Sequence, residues 1–557
     1  MNTEHTVAVE EWIAADPDPL TRAELAGLDP SSLRRRFADR LHFGTAGLRG
    51  PVRGGPDGMN RLVVIHTTTA LAGWLIDAGH AGGVVVVGHD ARHGSSSFAA
   101  DAAGVLGDHG FDVIGFATPV PTPVVAFTTR RHAAVAGVMI TASHNPPADN
   151  GYKVYLGGGP MDAGAQIIPP VDAEIEERIA RIGVGSLSVP TTSASAPDPR
   201  ALDAVEAYLS RVHDRCGWRP SNLRVALTPM HGVGGDLALR ALAAAGVDDV
   251  VVVDEQFAPD PDFPTVAFPN PEEPGAADLL LALARRVDAD IAIALDPDAD
   301  RCAVGAVVDG RWRMLTGDET GALLATAALS HRDSPNDVAD ERPLVATTIV
   351  SSTLLGRVAE AAGARHTRTL TGFKWLVRAG EGLRYAYEEA IGHCVDPDAV
   401  RDKDGISAAV SLAVLAHERK AAGNGLGAAL DEVFARHGVH RTGQVSIRTD
   451  TADDITAIMT RLRTRPPATL CGTDVTRTDF ATRTDHLQTD AVEFVGHADD
   501  HDLRVIVRPS GTEPKVKFYL EVVVAAGGHG HLDADKHRAD TLLGDLRDAA
   551  GELGELR

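Results

Sequence analysis

Short apolar runs, each broken off by glycine, proline or charged residues, recur along the chain and alternate with helical patterns. Residues 1–40 read as polar helices, with Ser31-Ser32 capping the last of them. Asn60 to Ala78 carries a helical pattern. Val84 to Val87 is a four-valine strand ending at Gly88-His89-Asp90-Ala91-Arg92, and Ser95-Ser96-Ser97 opens a helix beyond it. This strand–loop–helix unit, with its polar loop at the strand end, is what a parallel sheet requires. A strand at 112–116, a loop from Pro119 to Pro123 and an apolar strand from Ala134 to Ile140 follow. Asp149-Asn150-Gly151 then reads as a turn.

The pattern repeats. Residues 183–199 are small and polar, a linker by composition, and precede a helix from Pro199 to Asp214. Strands are predicted at Arg224–Leu227, Val250–Val253 and Asp290–Leu295, with a helix near 277–286. A third unit opens with a helix near 318–330, a polar insert at 331–343 and a strand at Val345–Val350. After a glycine-rich break at 422–427 and a helix, strands fall at Val445–Arg448 and Leu503–Val507, and a C-terminal helix at 533–557.

Composition narrows the picture. A chain of 557 residues is expected to hold three or four domains. The formal net charge of −24 and pI of about 5.3 argue against nucleic-acid and anionic-membrane partners, which need a basic face. An anionic small substrate at a local cationic site is compatible with that balance. No stretch approaches the roughly 18 apolar residues of a membrane span. Cys216, Cys302, Cys394 and Cys471 are scattered and read as reduced thiols in a cytoplasmic protein. Lysine is rare: only Lys153, Lys374, Lys403, Lys420, Lys515, Lys517 and Lys536 occur among 53 basic residues. Where Arg is the default cation, a retained Lys points to a need for a compact ammonium.

Five stretches carry candidate chemistry. Thr141-Ala142-Ser143-His144-Asn145-Pro146-Pro147 places Ser143 just past a buried strand, where open α/β sheets bind ligands. Ser143 is a nucleophile or phosphate carrier there, or the hydroxyl of an ordinary turn. Phe43-Gly44-Thr45-Ala46-Gly47-Leu48-Arg49-Gly50 lets backbone approach an anion that Arg49 can grip, or is a plain glycine turn. Asp296-Pro297-Asp298-Ala299-Asp300-Arg301 sets three carboxylates at alternate positions in a loop. Left alone they repel, so a cation is the simplest partner, and oxygen-only ligands point to Mg²⁺; the other reading is an exposed acidic turn. An EF-hand is excluded because Arg301 stands where its glycine belongs. Glu388-Glu389-Ala390-Ile391-Gly392-His393 suits hydroxyl recognition or an ordinary polar loop. Arg508-Pro509-Ser510-Gly511-Thr512-Glu513-Pro514-Lys515-Val516-Lys517 offers a guanidinium, hydroxyls and open N–H groups, a phosphate cradle or a Ser-Gly turn.

TASHNPP with NGYK, DPDADR, TGFKW, EEAIGH and RPSGTEPK, in this order from about Phe43 to Glu521, resemble the α-D-phosphohexomutase superfamily of phosphoglucomutase and phosphomannomutase enzymes. GTAGLRG, TPMHGVG and DKDGISAA look most like its phosphopentomutase-containing branch. The resemblance implies an α/β protein: three similar mixed-sheet domains and a smaller C-terminal α+β domain, heart-shaped around a central cleft. The expected boundaries are 1–204, 205–316, 317–440 and 441–557. It implies a phosphoserine at Ser143, with His144, Lys153, Arg49 and Arg301 completing the catalytic group and Lys153, ahead of His144, taking the incoming hydroxyl proton. It implies one Mg²⁺ per chain on Asp296, Asp298, Asp300 and the Ser143 phosphate. Substrate contacts fall on Thr371, Gly372, Lys374, Glu389, His393, Arg508, Ser510, Gly511, Thr512 and Lys517.

The implied reaction interconverts hexose 1-phosphate and hexose 6-phosphate, of glucose or mannose, through a bisphosphorylated sugar. A hexose bisphosphate is the priming activator, and the chain is a monomer or homodimer. One departure stands out. Hexose enzymes often carry Glu-x-Ser-Gly in the sugar loop, and here Ile391 replaces that Ser. Ribose or deoxyribose 1-phosphate is therefore the alternative substrate. A Mg²⁺-dependent phosphatase and a silent sugar-phosphate sensor are the remaining readings. Ser143 lacks the GxSxG elbow of an esterase.

Overall fold

The structure is a computed structural model. It describes residues 3–44, 46–159, 161–191, 197–330, 342–449, 451–510, 515–527 and 530–555. These form two compact units. Unit 1 comprises residues 1–306, 312–314 and 392–418; unit 2 comprises 307–311, 315–391 and 419–557.

Unit 1 contains two mixed sheets. The first holds β1 (Leu48–Pro51), β2 (Val84–His89), β3 (Asp112–Gly115), β4 (Ala136–Ile140), β5 (Asp149–Leu156) and β6 (Ala165–Gln166). Its order is β1-β5-β4-β2-β3, with β6 on β5. β2 runs parallel to β3 and β4, whereas β5 is antiparallel to both β4 and β1. The helices Arg61–Asp77 and Ser95–Asp108 bury Val64, Leu71, Phe98 and Leu106 in one core with Val85, Val87, Ile140 and Tyr152 of the sheet. The valine run is buried because helices cover it, at roughly 1.5–3 kcal/mol per fully buried aliphatic side chain. The second sheet holds β7 (Arg224–Thr228), β8 (Asp249–Val252), β9 (Ile291–Leu295), β10 (Cys302–Val308) and β11 (Arg311–Met314), in the order β11-β10-β9-β7-β8.

Unit 2 contains β12 (Leu344–Thr348), β13 (Arg365–Thr369) and β14 (Leu383–Glu388), with β12 parallel to both neighbours. The short strand β15 (Gly392–Cys394) already belongs to unit 1. A second, antiparallel sheet follows in unit 2. Its strands are β16 (Val439–Arg448), β17 (Thr469–Leu470), β18 (Thr473–Asp479), β19 (Val492–His497), β20 (His501–Pro509) and β21 (Lys515–Val524). Their order is β16-β21-β20-β19-β18-β17, and the helix Leu532–Gly554 packs on β16 and β21.

Three local expectations change. Asp29, not Ser31-Ser32, caps the helix Pro30–Arg36: its Oδ1 accepts from Ser31 N at 2.8 Å and Ser32 N at 3.2 Å, and Pro30 fills the first turn. The loop expected at Pro119–Pro123 ends in a helix, Thr122–Arg131, because a first-turn proline forfeits only an N–H that has no partner there. Asp149-Asn150-Gly151 is no turn but the start of β5, paired with Pro51, Gly50 and Arg49 of β1. The insert at 331–341 and residues 192–196 of the linker lie outside the described residues. All four cysteines are free thiols. Among the described residues no helix is long and apolar enough to cross a membrane.

Candidate active site

β4, flanked by β5 and β2, ends at Ile140 and delivers Ser143 just beyond its carboxyl end. The backbone turns sharply: Ser143 is left-handed at φ +55°, and its N–H donates to Thr141 Oγ1 at 2.8 Å. A non-glycine residue holds that conformation only where its surroundings fix it. Arg92, from the loop after β2, does the fixing. Its Nη2 donates to Ser143 O and Asn145 O, each at 2.6 Å, and its Nη1 to Pro146 O at 2.8 Å and Asp149 O at 3.1 Å. Asp90 steadies Arg92 in turn, accepting from its N–H at 3.0 Å and pairing with its Nε at 3.4 Å. Arg49, on β1, donates to Asn145 Oδ1 at 3.2 Å.

Facing the serine is the loop after β9. Asp296, Asp298 and Asp300 are fully buried, and one oxygen from each lies within 4.8 Å of the others. Ser143 Oγ donates to Asp296 Oδ2 at 2.9 Å and sits 3.1 Å from His144 Nδ1. Asp296 Oδ1 accepts from Arg301 N at 3.0 Å. Lys153 Nζ donates to Asp298 Oδ2 at 2.7 Å and Asp300 Oδ2 at 2.8 Å, and Thr122 Oγ1 donates to Asp298 Oδ2 at 2.7 Å. Lys403 Nζ lies 3.1 Å from Asp300 Oδ2, and Arg301 Nε 3.9 Å from Asp300 Oδ1.

The environment pushes these groups apart. Burial, then the Asp298 and Asp300 charges, lift Asp296 well above the usual carboxylate range. Burial also works against the charged form of Asp298, but Lys153 overrides it and holds that carboxyl low. Asp300 is lowered too: burial and Asp298 oppose ionisation, and Lys153, Lys403 and Arg301 outweigh them. Burial depresses Lys153, yet Asp298 and Asp300 keep its ammonium above its ordinary value. Burial, followed by Arg301 and Arg49, pulls His144 well below the usual histidine range.

Asp298 Oδ1 and Asp300 Oδ1 are buried oxygens without a hydrogen-bond partner. Such oxygens are costly unless something answers them. Together with the all-oxygen donor set they fit a hard divalent cation. These three carboxylates are the only group of this kind among the described residues.

Unit 2 gathers part of the expected substrate set. Glu389 Oε2 accepts from Thr348 Oγ1 at 3.1 Å and Ser351 Oγ at 2.8 Å. The Tyr519 hydroxyl, on β21, bonds the Arg508 guanidinium and lies within the field of Glu389 and Glu388. Arg508 pairs across the sheet with Lys517, and Ser510 N donates to Lys515 O at 2.8 Å. Thr371 and Gly372 form the bend before the short helix Phe373–Leu376, with Gly372 at φ +110° and Lys374 on the helix. Gly511 and Thr512 lie outside the described residues.

His393 lies in unit 1. Gly392 forms an antiparallel bridge with Arg301, drawing the chain after Ile391 into unit 1. His393 is fully buried there, its ring bonded to the Cys302 backbone, and burial pushes its pKa down to about 3. Burial keeps this ring in its neutral form. Conversely, Arg92, Thr122 and Lys403 belong to the site yet carried little sequence signal. Arg92 stands in a strand-end loop that signals only a parallel sheet, Thr122 lies among prolines, and Lys403 is marked by its rarity and by the DKDGISAA stretch.

A buried serine set against three carboxylates and fixed cations is the arrangement of a phosphoryl-transfer enzyme. The phosphoglucomutase/phosphomannomutase α/β/α domains I, II and III match residues 40–184, 206–309 and 316–436, and the C-terminal domain of the same family matches 489–527. The chain belongs to this family of isomerases acting by intramolecular phosphotransfer. It is 38% identical over 489 residues to a Haemophilus influenzae protein named "Probable phosphomannomutase", covering 87% of this chain and 96% of that one. It is 34% identical over 588 residues to mouse phosphopentomutase, covering 97% and 93%. Parafusin, a phosphoglucomutase from Paramecium, shares the fold at 18% identity, with a TM-score of 0.67 over 93% of this chain and 97% of that chain.

Proposed function

We propose that the protein interconverts the 1-phosphate and 6-phosphate of a hexose, glucose or mannose, through phosphorylated Ser143 and a bisphosphorylated sugar. The observation that carries this is the position of Ser143 Oγ, between Asp296 Oδ2 at 2.9 Å and His144 Nδ1 at 3.1 Å. In the first half-reaction the bond from Ser143 Oγ to phosphorus breaks, a bond from phosphorus to the free sugar hydroxyl oxygen forms, and the hydroxyl proton passes by way of His144 to Ser143 Oγ. In the second, the bond from the other phosphorus to its sugar oxygen breaks, a bond from that phosphorus to Ser143 Oγ forms, and the Ser143 proton passes by way of His144 or Asp296 to the sugar oxygen. Lys153 has no lone pair to offer while its ammonium donates to Asp298 and Asp300, so the base role moves from Lys153 to His144. Arg49, Arg301 and Lys153 hold positive charge around the transferring group.

Mg²⁺ is the cation this oxygen set fits; Asp296, Asp298, Asp300 and the Ser143 phosphate would hold it, and it would neutralise charge on the phosphoryl oxygens. Arg508, Ser510 and Lys517, with Gly511 and Thr512, are assigned to the non-reacting phosphate. Glu389, with Thr371, Gly372 and Lys374, is assigned to the sugar side. A hexose bisphosphate serves as primer.

A pentose phosphate is the second reading. Ile391 is buried and at φ +52°, so the sugar loop has no hydroxyl at that place. Purified protein, Mg²⁺ and a trace of bisphosphate primer tested against the 1-phosphates of glucose, mannose, ribose and deoxyribose decide between them. Faster hexose turnover supports the first reading and faster pentose turnover the second. Ser143→Ala is expected to abolish turnover without changing the melting temperature. Near-normal mutase activity in that variant would sink the mechanism.

A further inference from the structure

Each outer carboxylate of the acidic loop uses its two oxygens differently. Asp298 and Asp300 spend Oδ2 on Lys153, Thr122 and Lys403, while their Oδ1 atoms have no hydrogen-bond partner. The lysines thus orient the carboxylates. They also supply counter-charge: Lys153 and Lys403 reach Asp298 and Asp300, Arg301 Nε lies 3.9 Å from Asp300 Oδ1, and Lys403 Nζ is shared with Asp402 Oδ1 at 3.4 Å.

Lys403 is the distinctive member. It arrives not from the serine loop or the acidic loop but from the returning segment 392–418. Its neighbours pin it there. Asp402 accepts from Tyr155 Oη at 2.9 Å and Gln166 Nε2 at 2.6 Å, and Asp404 from Tyr208 Oη at 2.7 Å. Gly405 N donates to Ala299 O at 3.2 Å, and a Cβ on Gly405 would stand 2.4 Å from Arg301 O. A long, mobile side chain is thereby held buried at a stated carboxylate.

We propose that Lys403 is a resident counter-charge on the carboxylate cluster, so that a divalent cation is held tightly only when a phosphoryl group occupies Ser143. This rests on the mutase reading of Ser143 above. A cation alone would add two positive charges beside the lysines already paired with Asp298 and Asp300. A phosphoryl group brings about two negative charges and offsets them. The two therefore bind cooperatively, each raising the other's affinity by the same factor. Lys403 is a positioning residue in this scheme, acting through Asp300.

Charge and orientation predict opposite signs for its removal, and the geometry decides between them. Losing a group that orients a metal ligand typically weakens metal binding. Here Lys153 still holds Asp300 Oδ2 at 2.8 Å, so orientation survives and the charge effect dominates.

The test is calorimetric titration of Mg²⁺ into the full-length, unphosphorylated protein. Lys403→Met and Lys403→Gln are expected to bind Mg²⁺ at least about tenfold more tightly than wild type, and Lys403→Arg to match it. Equal or weaker binding by both neutral variants overturns the proposal. If neither folds, wild type decides alone. After phosphorylation by a hexose bisphosphate, confirmed by mass, it should bind Mg²⁺ at least about tenfold more tightly than before, and equal affinity overturns the proposal. Failure of the mutase reading looks different: the Mg²⁺ titrations come out as stated, but none of the four sugar phosphates is isomerised.

Discussion

At the scale of single residues, Arg92 does more for Ser143 than any group in the serine's own loop. One guanidinium collects four carbonyl oxygens, from Ser143, Asn145, Pro146 and Asp149, and so shapes the turn that presents Oγ. Its planar fork suits that task, and an ammonium does not. Arg92→Lys keeps a cation for Asp90 but not the four-point grip. It is expected to lower kcat about 10²-fold or more with a small change in KM, because the nucleophile is displaced by a fraction of an ångström to an ångström. Arg92→Met leaves Asp90 buried without its partner and should cost about 3–5 kcal/mol of stability in chemical denaturation. An unchanged kcat in Arg92→Lys would remove Arg92 from the account. Ser143, the three aspartates, Lys153 and Arg49 were legible in the sequence because their chemistry is written locally, in alternate carboxylates and a strand-end serine. Arg92, Thr122 and Lys403 were not, because they act through partners between 51 and 176 positions away. The place of His393 was not legible for the same reason: Gly392 bridges Arg301, which takes the chain after Ile391 into unit 1.

At the scale of elements, the helix Gly317–Ser330 carries Asp318 in its first turn, where the positive end of the helix should favour a carboxylate. Desolvation wins. Burial is the largest influence on Asp318; the Ser352 N–H, donating at 2.7 Å, opposes it, and the Glu389 and Glu521 charges add to it, raising the pKa to about 7. The folded pKa lies above that of the unfolded chain, so native Asp318 retains its proton longer. The stability this provides is complete below about pH 4 and is lost as pH rises through about 7. Asp318→Asn removes the dependence while keeping an oxygen for Ser352 N and the Tyr387 hydroxyl. Relative to the variant, wild type is expected to lose on the order of 4 kcal/mol between about pH 4 and pH 8 in urea unfolding. Parallel stability–pH curves for the two proteins would refute this. Elements themselves were largely legible where a buried strand or a capped helix wrote its own pattern, as at Val84–Val87 or Asn60–Ala78. β5 was not, since Asn150 and Gly151 signal a turn locally and are strand only because β1 pairs with them and β4 pairs with the rest of the strand from Tyr152 on.

At the scale of the whole molecule, the chain order and the compact units disagree in an instructive way. The third family domain matches residues 316–436 as one stretch, yet residues 392–418 fold with unit 1 and the residues around them with unit 2. The returning segment supplies Lys403 to Asp300, Asp402 to Tyr155 and Gln166, Asp404 to Tyr208, and Asp396 to Arg211 at 2.6 Å. It also brings the helix beginning at Gly405, with Ile406, Val410 and Leu412 fully buried. A chain ended at residue 316 keeps two complete sheets but strips these groups of their partners. Each orphaned buried hydroxyl or amide costs roughly 1–3 kcal/mol, and each missing buried aliphatic side chain a similar amount. That total rivals the whole stability of about 5–15 kcal/mol that a domain possesses. Residues 1–316 alone are therefore expected to show no cooperative thermal transition by circular dichroism. The same fragment carrying residues 392–418 on a flexible glycine-serine linker should regain one. A transition in the bare fragment within a few degrees of the full-length protein would mean that the segment docks on a finished unit. Its absence, with rescue by the tethered segment, would mean that the lysine at the acidic loop and the stability of unit 1 depend on one stretch of chain. The counter-charge at the metal-binding loop would then be a property of the fold and not of the loop.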